Sequence, residues 1–83
     1  MATLIQPSDL AFFAALAQAG SLSAAARELG ISAAAVSRHL AQMEARLGLA
    51  LVNRTTRRMS LTPEGEMYLA HARKILLEAV NHL

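Results

Sequence analysis

The sequence predicts a mainly α fold, a winged helix-turn-helix followed by a long C-terminal linker (dimerisation) helix. Three observations lead there. Ala and Leu recur at helical spacing through a chain of 83 residues that is 54% hydrophobic and 4% aromatic. The three residues Gly30-Ile31-Ser32 separate a short, alanine-faced helix from a longer one, the spacing of a helix-turn-helix. Beyond the longer helix, two brief apolar runs flank the polar, basic stretch Asn53-Arg54-Thr55-Thr56-Arg57-Arg58, the pattern of a small hairpin.

The elements follow in order. Pro7-Ser8-Asp9-Leu10 reads as a helix start, with Ser8 as cap and Asp9 at the positive end of the dipole. Leu10, Phe13, Leu16 and Ala17 form its apolar face, and Gly20 ends a first helix over 9–19. A second helix takes Ser23 as cap, turns Ala25, Ala26 and Leu29 inward, and exits at Gly30. Small alanines allow a close, steep crossing where Leu or Phe would clash. Ser32 caps a third helix through Val36, Leu40, Met43 and Leu47, which stops at Gly48. Leu49-Ala50-Leu51-Val52 and Met59-Ser60-Leu61 are expected as two very short strands joined by the basic hairpin. Thr62-Pro63-Glu64 is a strong helix start: a capping hydroxyl, a proline that forfeits no hydrogen bond, and an acid at the positive end.

The last helix is expected to run from Pro63 to the final residue, about 30 Å. Leu69, Ala72, Leu76, Ala79 and Leu83 make a stripe along it, broadened by Ile75 and Val80. One small core cannot cover the whole stripe, so a second copy across a two-fold axis is expected to pair with it. The chain thus divides into a winged helix-turn-helix over 1–62 and a linker helix over 63–83. No stop signal follows Val80, so the helix is expected to continue past Leu83, whereas Met1 reads as a natural start.

Charge is unevenly placed. Residues 1–37 carry Arg27 against Asp9 and Glu28, a net −1. Residues 38–58 carry Arg38, Arg46, Arg54, Arg57 and Arg58 against Glu44, a net +4. Residues 59–83 return to −1, with Arg73 and Lys74 against Glu64, Glu66 and Glu78. The positive block is almost wholly Arg, whose rigid fork of donors suits phosphates and base edges.

Other functions find no support. With no cysteine, disulfides and thiolate chemistry are excluded. Ser37 and His39 are two residues apart on a helix and face different ways, which does not suit a nucleophile and its base. His39, His71 and His82 lack metal-ligand spacing, and the glycines form no phosphate loop. No apolar run is long enough to span a membrane, and MATLIQPSDL is not a secretory signal. A non-enzymatic cytoplasmic protein, associated with the nucleoid and needing no cofactor in this segment, is expected.

Double-stranded DNA is the expected partner. The N-terminal part of the third helix would enter the major groove. Ala33 and Ala34 sit at its tip, suited to a thymine methyl, with Ser37 and Arg38 one turn on. Arg38 can reach guanine O6 and N7 or a phosphate, and Ser37 a base or a phosphate. Ser32, His39, Arg54, Thr55, Arg57 and Arg58 are assigned to the backbone or minor groove. Arg46 reads as a DNA contact or a helix-end charge, and Tyr68 as packing. The alternative is a winged-helix module that binds another protein and has no cognate DNA. That reading calls for a neutral or acidic surface, against the five Arg of residues 38–58.

Residues 10–65 resemble the N-terminal DNA-binding domain of LysR-type transcriptional regulators. The resemblance rests on Leu10-Ala11-Phe12-Phe13, the run Ala19-Gly20-Ser21-Leu22-Ser23-Ala24-Ala25-Ala26-Arg27-Glu28-Leu29-Gly30-Ile31-Ser32, and Ala35-Val36-Ser37-Arg38. It continues through Leu40, Met43-Glu44, Leu47-Gly48, Leu51-Val52, Arg54-Thr55, Arg57-Arg58 and Leu61-Thr62-Pro63-Glu64-Gly65. It implies a bacterial regulator that dimerises through its linker helix and acts on imperfect inverted repeats near promoters. It further implies a C-terminal domain for a small-molecule effector, a tetramer in the full-length protein, and contact with RNA polymerase. The family commonly places Gln-Pro after the serine that opens the recognition helix, where this chain has Ala33-Ala34. The glutamine's base contact therefore does not carry over, and readout is expected to lean on the wing and on DNA shape.

Overall fold

The computed structural model describes residues 6–53 and 59–81, with side chains through residue 77. Within them lie α1 (Pro7–Ala19), α2 (Leu22–Leu29), α3 (Ala33–Leu47), β1 (Val52–Asn53), β2 (Ser60–Leu61) and α4 (Pro63–Asn81). This is the mainly helical, winged arrangement expected from the sequence. Helix α1 packs against both α2 and α4, and α2 packs on α3. The core takes Leu10, Phe13 and Leu16 from α1, Ala25 and Ala26 from α2, and Val36, Leu40 and Met43 from α3. Leu51, Val52, Tyr68 and Ala72 close it from the wing and α4.

Several helix boundaries differ from expectation. Helix α1 begins at Pro7, with Gln6 in the cap position and no side-chain cap, so Ser8 lies inside the first turn. Proline explains the shift, since its fixed φ and missing N–H fit the first helical position. Ser21, not Ser23, caps α2: its hydroxyl accepts from Ala24 N at 3.1 Å. Leu29 is 38% exposed and lies outside the core that Ala25 and Ala26 enter. Gly30 ends α2 in the left-handed region, φ 70°, where a side chain would be strained. Ser32 caps α3 as expected, accepting from Ala35 N at 3.0 Å.

The wing is shorter than predicted. Val52 pairs with Leu61 and Asn53 with Ser60, antiparallel, while Leu49, Ala50 and Leu51 lie outside the strand. Glu44 ties this corner to α3: its Oε2 accepts from Leu51 N at 2.8 Å and Val52 N at 3.2 Å. Those two N–H groups are thereby committed to α3. Thr62 closes the same corner. Its hydroxyl donates to the Ala50 carbonyl at 2.6 Å and accepts from Gly65 N at 2.9 Å, which makes it the cap of α4.

Candidate nucleic-acid interface

Helix α3 presents two faces. Val36, Leu40 and Met43 are buried, whereas Ser32, Ala33, Ala34 and Arg38 are exposed and Ser37 is half-buried. Five residues expected at the interface are thus brought together at the N-terminal end of one helix. Arg54, Thr55, Arg57 and Arg58 lie outside the described residues. Gln42, exposed on α3, continues the row from Ala34 through Arg38 at steps of four. That helical spacing was the available signal for it.

His39 and Arg46 are engaged inside the domain. Asp9, 3% exposed on α1, accepts from His39 Nε2 at 2.8 Å through Oδ1 and from Arg46 through Oδ2. The His39 ring also stacks on Phe12, with centroids 3.9 Å apart and planes at 22°. Asp9 is therefore more than an acid at the start of α1. It joins that helix to two points on α3. His39, expected at the DNA backbone or minor groove, has its Nε2 engaged by Asp9.

Tyr68 packs edge-on against Phe13 at 5.2 Å. Its pKa is raised above the ordinary value of 10.0, first by burial and then by the negative charge of Asp9, with Arg46 acting the other way. Both observations agree with a packing role.

The apolar stripe of α4 is divided. Ala72 is fully buried in this chain's own core, which corrects its assignment to the dimer surface. Leu69 packs against the same core, because α4 lies along α1 over this stretch. Leu76 is half-buried, and Ile75 and Leu77 are 41% and 61% exposed. The side chains of Ala79, Val80 and Leu83 lie outside the described residues. Among the described residues, no cluster of three acidic or histidine side chains could hold a metal. No helix of the described residues is long and apolar enough to cross a membrane.

A helix-turn-helix with a wing and a basic recognition helix defines the class, and comparison with known proteins gives the family. Residues 7–66 match the model of the bacterial regulatory helix-turn-helix protein, lysR family. The chain belongs to that family. It is 53% identical over 64 residues to an uncharacterised HTH-type transcriptional regulator of Mycobacterium tuberculosis, covering 77% of this chain and 20% of that protein. It is 44% identical over 70 residues to the HTH-type transcriptional regulator CrgA of Neisseria meningitidis, covering 84% and 23%. The chain thus spans about a fifth of the length of these curated relatives. Among solved structures, the CbnR_DBD-DNA complex aligns with TM-score 0.83 at 36% identity, over 94% of this chain and 90% of that one. The BenM_DBD/benA site 1 DNA complex aligns with TM-score 0.88 at 29% identity, over 94% and 88%.

Proposed function

We propose that this chain is the DNA-reading part of a LysR-type transcriptional regulator and binds a specific double-stranded sequence through α3 and the wing. The observation that carries this reading is the free N-terminal end of α3, where Ala33, Ala34 and Arg38 are exposed over a buried Val36-Leu40-Met43 face. A groove-inserting helix needs this division, and the similar chains include domains solved on DNA. Arg38 takes a guanine or a phosphate, Ser37 a base or phosphate, and Ala33 and Ala34 a thymine methyl. Ser32 and the basic stretch Arg54, Thr55, Arg57 and Arg58 follow the backbone or the minor groove.

Two copies pair through the distal part of α4, carried by Leu76 with Ile75 and continued by Ala79, Val80 and Leu83. Such pairing presents two recognition helices to an inverted repeat. In the full-length protein this reading adds a domain for a small-molecule effector, a tetramer, action at promoters beside RNA polymerase, and a place on the nucleoid in the cytoplasm. Selection from fragmented genomic DNA tests the function. It is expected to enrich fragments sharing an imperfect inverted repeat, and recovery of fragments with no common sequence would refute it.

A further inference from the structure

We propose that Asp9 determines how strictly the interface reads sequence, because it withholds two basic side chains of the recognition helix from phosphate. This rests on the DNA-binding reading above. Attraction to phosphates is blind to sequence and grows with each cation free to reach them. Five Arg lie in residues 38–58, so unselective binding is the hazard of this surface.

Asp9 acts on that hazard from inside the fold. It is nearly inaccessible, 3% exposed, and its two carboxylate oxygens are divided between His39 and Arg46. Those residues are seven apart, two turns along the same face of α3. A single acid on α1 therefore grips the recognition helix at two heights and fixes its roll about its own axis. The roll decides which side chains face the groove. Phe12, stacked on the His39 ring, supports the same orientation. Both basic side chains remain partly open, His39 at 34% and Arg46 at 37%, so losing the acid would free them to turn outward. Arg38, next to His39 in sequence, takes part in no ion pair among the described residues. The division is then between a free arginine on the groove side and a neutralised one behind it.

The test is Asp9→Asn, titrated against a duplex enriched in the genomic selection and a scrambled duplex, over a series of salt concentrations. Affinity for the scrambled duplex is expected to rise about threefold at low salt, with a salt slope steeper by about one. The ratio of selected to scrambled affinity is expected to fall about tenfold. Adding Arg46→Gln to Asp9→Asn brings the slope back towards that of the unaltered chain. A role confined to stability predicts something else, equal losses on both duplexes with an unchanged slope, and that result overturns the proposal. Arg46→Gln alone gives an independent reading that does not need the buried site altered. Its slope is expected to match the unaltered chain, and a slope shallower by about one would show that Arg46 already meets phosphate. A selection that enriches no sequence would refute the DNA-reading function itself. An enriched sequence with an unchanged affinity ratio in Asp9→Asn would refute this inference alone.

Discussion

Leu51 is gripped from three directions by groups that a reading of composition passes over. Its N–H goes to Glu44, its carbonyl accepts from Thr62 N at 3.1 Å, and Gly65 lies directly against that carbonyl. A Cβ built on Gly65 would stand 2.0 Å from Leu51 O and 2.9 Å from its carbonyl carbon. Backbone cannot swing aside as a flexible side chain can. Gly65 is thus required by close approach at an ordinary helical φ. Gly65→Ala should gain about 1 kcal/mol of helix propensity but force the wing away from α4. The expected net result is destabilisation of about 1–3 kcal/mol, read as a lower midpoint in urea unfolding. A midpoint equal to or above that of the unaltered chain would show that the corner opens freely.

At the scale of elements, α3 and α4 differ in how far the sequence disclosed them. The buried and exposed faces of α3 follow from Val36, Leu40 and Met43 at helical spacing, and Ser32 and Gly48 bound the helix as read. The cap of α2 was less legible: the sequence reading places it at Ser23, and the bond from Ala24 N places it at Ser21. Long-range polar contacts left no local trace. Asp9 and Arg46 stand thirty-seven residues apart, and no periodicity within either helix announces their meeting. The stripe on α4 is apolar in sequence, but that Ala72 and Leu69 belong to this chain's own core is a tertiary fact. Ala72 falls on the inner side, while Leu76 stands near the limit of that cover. Leu76→Glu should therefore separate the pair into monomers in sedimentation velocity, with helical content kept. An undiminished dimer would move the interface elsewhere on the molecule.

For the molecule as a whole, the net charge of +2 conceals a +4 block between two weakly acidic flanks. The fold turns this order along the chain into an order in space. Arg38 is exposed on α3 and Arg46 is matched by a buried acid, while Arg54, Arg57 and Arg58 lie outside the described residues. The alanines at the tip offer no long polar side chain to a base edge, which on the proposed reading leaves readout to lean on the wing and on DNA shape. The most direct measurement is a parallel titration of the chain and its Arg38→Ala variant on a genomically selected duplex and on a scrambled one, at fixed salt. The unaltered chain should bind the selected duplex about 10³-fold more tightly than the scrambled one. Arg38→Ala should lose about 1–3 kcal/mol on the selected duplex and much less on the scrambled one. Equal affinity of the unaltered chain for both duplexes would contradict sequence-specific recognition by α3.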